Sequence, residues 1–183
     1  SSHIEAVLEK AIPAVSDAAS LEDFASRLKT IEGVTNAYPE AGAAALAASS
    51  SFRIGVQVRA VLPEIFTENK SFASFFRVID GDIGNFKRGT KTAVIGEETA
   101  RRLGLRSGDT FRLISASVNE RGTVLPKAAL LSVAAVVSSG YRELDAAWLF
   151  VPLDTGFDII RAGTGEYSVL VETENAFSPE LVR

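Results

Sequence analysis

The side chains that most often do chemistry are nearly all absent from this sequence. The 183 residues include no cysteine and no methionine, which removes thiolate nucleophiles, disulfides and zinc-thiolate sites and leaves the redox compartment unread. His3 is the single histidine, and it stands in a leading Ser-Ser-His stretch expected to be disordered. A Ser-His-Asp triad or a histidine metal site therefore has no material. Paired acids occur at Glu97-Glu98, and Asp80 stands two positions from Asp82. Glycoside hydrolysis needs two carboxyls facing each other across a cleft, which adjacency in sequence does not supply. Gly81-Asp82-Ile83-Gly84 and Gly163-Thr164-Gly165 have the glycine density of phosphate loops but not their full spacing or Lys-Ser/Thr ending. These patterns imply no catalytic residue, no metal and no cofactor. An enzyme built on this chain would hide its groups among ordinary Asp, Glu, Lys, Ser or Tyr residues.

The elements that would have to position such groups are clearer. At 183 residues, with 46% hydrophobic and 23% charged residues, the chain can bury roughly 70% of its unfolded surface and has no composition for long disorder. The net charge of −4, with bases scattered, gives no basic face for nucleic acid. The densest basic spots, Lys87-Arg88 with Lys91 and Arg101-Arg102, read as solvated surface. No apolar run approaches the roughly 20 residues that span a bilayer. With no initiator Met, the chain reads as a fragment or a processed product.

The chain is organised around residues 92–114. Ala93, Val94 and Ile95 suit a buried strand, and Gly96 frees the backbone to turn. Glu97, Glu98 and Thr99 then open a short helix that closes on Arg101 and Arg102, the charge order that complements the helix dipole. Gly104 is its expected left-handed cap, Ser107-Gly108-Asp109 form a turn, and residues 110–114 restart a strand.

Around this unit, Ser20-Leu21-Glu22-Asp23 has the form of a capping box, and Leu21, Phe24, Leu28 and Ile31 share one face of the following helix. Residues 4–15 are left open between helix and strand. Residues 34–48 form a strand, and 52–62 form another with Ile54, Val56, Val58 and Ala60 on its buried face. Phe72, Phe75, Phe76, Val78 and Ile79 belong to a short aromatic helix, followed by a turn at Asp80-Gly81-Asp82, and the phenylalanines are expected in the core rather than in a ligand slot. Residues 115–128 read as a long hairpin loop. A strand follows with Leu131, Val133, Ala135 and Val137 alternating, Ser138-Ser139-Gly140 breaks it, and 141–145 make an exposed connection. Residues 147–151 restart a strand, Asp154 caps a short helix, 166–172 form a final strand, and Ser178-Pro179 begin another helix.

Taken in order, GDIGNFKRGTKTAVIGEETARRLGLRSGDTFRL, then Gly122 and Pro126, then LSVAAVVSSGYRELDAAWLFVPL resembles the extracytoplasmic domain of FtsX-like, MacB-type ABC transporter permeases. It looks closest to the lipoprotein-releasing permeases. The resemblance implies an α+β fold of two lobes, a porter-like βαβ part from residues 1–66 and 148–183 and an inserted mixed α/β, Sabre-like part from 67–147. It also implies a non-catalytic domain on the periplasmic face of the cytoplasmic membrane. Such a domain couples a separate cytoplasmic ATPase to export or membrane release of a lipoprotein, peptide or drug. Its partners would be that ATPase, a second permease subunit and a periplasmic carrier or adaptor. In some lipoprotein-releasing permeases the loop matching 117–128 grips a carrier, so Gly122, Val124, Leu125 and Pro126 become the candidate partner-binding tip. This sequence has one proline there, a departure that bears on carrier binding.

Two rivals keep other classes open. One is a small-ligand or cofactor-binding domain of double-psi-barrel type, which the turn at 103–109 also resembles, with closure into one barrel and a ligand at the glycine turns. The other is a hydrolase with an unrecognised carboxylate site in a deep polar pocket. The permease resemblance predicts an apolar segment of about 20 residues before Ile4 and several after Arg183 in the parent protein, which the flanking coding sequence checks. A gene encoding a free-standing chain of this length would contradict it.

Overall fold

The computed structural model describes residues 2–7, 17–160 and 165–174, so Gly163-Thr164 and the helix start at Ser178-Pro179 lie outside the described residues. Among the described residues the chain forms β1 (Ser2–Val7), α1 (Ala18–Leu28), β2 (Val34–Ala48), β3 (Arg53–Val61), α2 (Ile65–Glu68), α3 (Lys70–Phe75), β4 (Arg77–Gly81) and β5 (Thr92–Gly96). It continues through α4 (Glu97–Leu103), β6 (Thr110–Val118), β7 (Val124–Ser138), α5 (Arg142–Ala147), β8 (Trp148–Pro152), α6 (Leu153–Ile159) and β9 (Glu166–Thr173). This is the mixed α and β architecture expected.

The strands pair in the order β1-β9-β2-β3-β8-β5-β7-β4, and β6 pairs with both β2 and β7. The ladder therefore closes on itself through β2, β3, β8, β5, β7 and β6. Long ladders lie within the chain ends, as in β2 with β3 from Glu40↔Val61 to Ala48↔Arg53, and within the middle, as in β6 with β7 from Thr110↔Ser132 to Val118↔Val124. The joins between ends and middle are short. β2 meets β6 only at residues 46–48, and β5 meets β8 only at Val94↔Phe150 and Ile95↔Leu149.

Alternation decides which side each strand buries. Val56, Val58 and Ala60 of β3, Leu149 and Val151 of β8, Ala93 and Ile95 of β5, Leu131 and Val133 of β7 and Phe111 and Leu113 of β6 share one core. Opposite faces of the same strands, Val94, Phe150, Ala135 and Val137, join a second core with Phe66 and Phe86. β7 changes sides in mid-strand, because its register with β5 shifts between Ala93↔Val133 and Val94↔Ala135. The strict alternation expected from Leu131 to Val137 is therefore broken, and Val136 faces with Leu131 and Val133.

Several expectations are corrected. His3 is not in a disordered terminus but in β1, opposite Glu172 of β9. The cap of α1 is Asp17, whose Oδ1 accepts from Ser20 N at 2.7 Å and Ser20 Oγ at 2.6 Å, so the helix starts before the expected box. Ile31 lies beyond the end of α1 and is half exposed. Val78 and Ile79 lie in β4 and not in the aromatic helix, and since Asp80 and Gly81 complete that strand the turn read at 80–82 is displaced to Ile83–Asn85. Asp154 sits in the first turn of α6, whose N-cap is Pro152, and its Oδ2 accepts from Gly89 N at 2.7 Å. The connection at 141–145 is largely helix α5, and its Asp145 is buried. That carboxylate accepts from Ser139 N at 2.9 Å and Ser139 Oγ at 2.7 Å, which fixes the break after β7.

The central unit is strand, short helix, turn and strand as expected. Gly104 is the left-handed cap of α4, with φ of 67°. Gly96 has an ordinary φ of −70°, but a Cβ there would run into the backbone carbonyl of Asp145. Its requirement is close approach of β5 to α5. Gly96→Ala is expected to cost about 1–3 kcal/mol by overpacking. Gly104→Ala, with open space around it but a left-handed backbone, should cost about 1 kcal/mol. Urea denaturation of both variants checks the order, and equal losses would contradict it.

Candidate functional site

The stretch read as a hairpin loop is mostly strand. β6 runs to Val118 and β7 starts at Val124, so the turn is confined to residues 119–123. Asn119 builds it: Oδ1 accepts from Arg121 N and Thr123 N, both at 2.9 Å, and the backbone N–H donates to Thr123 O at 3.0 Å. Gly122 supplies the left-handed residue, with φ of 76°. Loop composition concealed this, because Pro126 lies within a strand and the polar residues at 119–123 suggested a longer break.

The four candidate residues do not form one tip. Cross-strand partners share a face, so Val124 with Val118, Pro126 with Ala116, and Ile114 with Leu46 of β2 line up on one side. Leu125 pairs with Ser117 and faces the other way, where Ser117 Oγ donates to Leu125 O at 3.1 Å. Gly122 is in the turn itself. The first face is apolar and open, with Val124 63%, Leu130 59%, Val118 49% and Leu46 44% exposed. Between β2 and the hairpin it dips into a groove of about 460 Å³ bounded by Leu46, Ile114, Ala116, Val124 and Pro126. Leu46, Ile114, Val118 and Leu130 were missed in the sequence. Period-two alternation across 110–118 and 124–130 would have found the hairpin members, whereas Leu46 joins only through the seam between β2 and β6.

The rival sites resolve into structure. Glu98 is buried and accepts from Arg101 Nη2 at 2.6 Å, Arg102 Nε at 3.0 Å and Arg142 Nη2 at 3.2 Å. The hydrogen bond from Arg101, aided by those from Arg102 and Arg142, holds its carboxyl well below the usual carboxylate range despite desolvation. That keeps a carboxylate ionised and does not arm a general acid. Asp80 takes Ser107 N at 2.8 Å, Asp109 takes Arg106 N at 2.9 Å, and Gly108 N donates to Val133 O at 2.8 Å. The donors a phosphate would use at that glycine turn are thus spent within the chain.

Lys87-Arg88 is more than solvated surface: Arg88 donates to Glu22 of α1 at 2.8 Å and to Glu64 beside α2 at 2.6 Å. These groups border a small polar cleft of about 170 Å³ with Tyr38, whose hydroxyl is pushed up to about 12 by burial and by nearby Glu172 and Glu68. Among the described residues no group of His, Asp and Glu is arranged to hold a metal ion, and no helix is long and apolar enough to cross a membrane.

No family model and no curated protein sequence matches this chain. Solved structures do. The periplasmic region of MacB from Actinobacillus actinomycetemcomitans aligns with a TM-score of 0.57 at 12% identity, over 88% of this chain and 68% of that one. The extracellular domain of the noncanonic ABC-type transporter YknZ from Gram-positive bacteria aligns with a TM-score of 0.62 at 18% identity, over 95% of this chain and 84% of that one. A domain assigned to a permease of Porphyromonas gingivalis gives 0.55 at 17% identity, over 86% and 69%. The chain has the fold of these domains.

The lowered Glu98 predicts a pH-dependent stability. Its ordinary value is 4.5, so its contribution is complete above that pH and fades as pH falls below it toward the depressed folded value. Glu98→Gln should therefore destabilise the protein most near neutral pH, with the gap narrowing at about pH 3. Urea midpoints of both proteins at the two pH values check this, and a gap that stays constant would contradict it.

Proposed function

We propose that this chain is the extracytoplasmic domain of an ABC transporter permease subunit. The observation that carries the reading is the shared fold with the MacB and YknZ domains over 88% and 95% of the chain. In this reading the domain stands on the periplasmic face of the cytoplasmic membrane as part of a membrane protein. It performs no catalysis and passes the motion of a separate cytoplasmic ATPase to a lipoprotein, peptide or drug that is exported or released from the membrane. A second permease subunit and a periplasmic carrier or adaptor complete the assembly. Residues 67–147 are the inserted lobe and residues 1–66 and 148–183 the porter-like lobe, a division favoured by the short β2–β6 and β5–β8 joins.

The hairpin face is the proposed docking surface for the carrier. Its support is continuity: Leu46 of β2, Ile114, Ala116 and Val118 of β6, and Val124 and Pro126 of β7 form one apolar strip across three paired strands. Leu125, on the reverse face, is outside it.

Purification of the full-length protein from detergent-solubilised membranes tests the reading. An ABC-type ATPase should copurify, and its absence would contradict the proposal. Within that complex, Val124→Asp and Leu46→Asp should weaken carrier capture about tenfold while leaving ATP hydrolysis in place, because a charge on a desolvated apolar contact costs well over 1 kcal/mol. Leu125→Asp should change capture little. Equal effects of the three substitutions would remove the hairpin face from the proposal.

A further inference from the structure

A second concave surface lies apart from the hairpin, lined by residues of α3, β3, β8 and β9. It encloses about 290 Å³ and is walled by Phe72, Phe75, Phe76, Trp148 and Leu170. The rings hold one another: Phe75 and Phe76 meet edge to face with centroids 5.0 Å apart, and Phe72 lies tilted against Phe76 at 5.4 Å. Phe75 also stacks on Tyr141 at 6.0 Å and stands at the rim, 38% exposed. Core packing, the role expected of these phenylalanines, holds for the inner edges of Phe72 and Phe76 against the second core, but their outer faces are left to line a groove.

Besides Ser71, two polar groups reach this wall, and they differ. Arg59 lies over Trp148, with its guanidinium carbon 4.6 Å from the ring centroid, and forks onto Glu40 at 2.9 and 2.7 Å. Its charge is already matched and its face already stacked. Asn69 is 1% exposed, and its Oδ1 accepts from Phe72 N at 3.0 Å, capping α3. That bond fixes the orientation of the amide, since a backbone N–H requires an acceptor. The Nδ2 is consequently the group left over, and among the described residues it has no hydrogen-bond partner. A buried amide donor without a partner is costly, and its place in the lining of a groove of aromatic rings suits an acceptor carried by a bound molecule.

We infer that this groove is a binding site for a small, neutral, apolar molecule that carries a carbonyl oxygen. The oxygen accepts from Asn69 Nδ2 and the apolar body lies against Phe75, Phe76 and Trp148. A carboxylate is disfavoured, because the neighbouring cation is committed to Glu40 and burial of an unpaired charge is expensive. At about 30 Å³ for a small heavy-atom group such as water, the space takes roughly ten non-hydrogen atoms, near the lower end of ligand sites. The site stands on its own geometry and does not depend on the transporter reading.

Trp148 is the single tryptophan, so its indole N–H resonance reports on the groove without interference. Titration of the 183-residue chain with propiophenone, and separately with propylbenzene, compares the same ring and chain length with and without the carbonyl. Propiophenone should shift the Trp148 resonance and bind about tenfold more tightly. Asn69→Ser keeps an oxygen to cap α3 but withdraws the amide donor, so the preference should fall to about one while the far-ultraviolet circular dichroism is retained. Phe75→Ala should weaken both compounds alike. Equal binding of the two compounds to the parent chain, or no shift at Trp148 with either, overturns the inference. So does a folded Asn69→Ser variant that keeps the tenfold preference. If that variant does not fold, the comparison of the two compounds on the parent chain decides.

Discussion

Two short seams hold this protein in its shape. The β2–β6 pairing at residues 46–48 and the β5–β8 pairing at Val94 and Ile95 turn two groups of long ladders into one closed circuit. Few backbone hydrogen bonds join the groups there, so the join depends on what lies inside the circuit. Leu113, Leu131 and Val133 from the middle of the chain pack in one core with Val56, Val58 and Leu149 from its ends. Burial at about 25 cal/mol per Å² makes that shared core worth far more than the seam hydrogen bonds. Hydrophobic burial closes the circuit, and the seams set its register.

Closure also explains where the two apolar surfaces arise. A strand buried on both faces has no polar side to turn outward, and β5, β8 and the second half of β7 are of this kind, with one core beneath them and the aromatic core above. The helices α2 and α3 cover that upper face with phenylalanines, and where the cover ends the rings form the groove around Trp148. At the far end of β6 and β7 no described residue covers the sheet, and Val118 and Val124 stand exposed as cross-strand partners. Both surfaces lie at margins of the same double-sided sheet, one supported by helices and the other by a hairpin.

The sequence made the local elements legible and concealed their partners. The unit from Thr92 to Ile114 could be read through to its glycine cap because charge order, capping and periodicity agreed there. The buried face of β3 followed from strict alternation. The extent of β6 and β7 did not, since Asn119, Gly122 and Pro126 carry turn chemistry and only the first two lie in the turn. The misplaced cap of α1 had a similar cause, because Asp17 and Ser20 both offer a capping oxygen and they in fact bond to each other. Asp145 gave no local sign of burial, as its partners Ser138 and Ser139 act only once β7 and α5 are folded together. Of the proposed docking face, Val124 and Pro126 were readable and Leu46 was not. Asn69 was invisible as a site residue, because an unpaired donor is defined by everything that fails to reach it.

The closed circuit with a shared core is most directly tested by native-state hydrogen exchange under rising urea. Amides at 46–48 and 112–114, and those of the β5–β8 seam, should exchange only through the same global opening that releases Val58 and Leu131. Exchange at the seams, or across residues 67–147, through a separate opening of lower free energy would contradict the account.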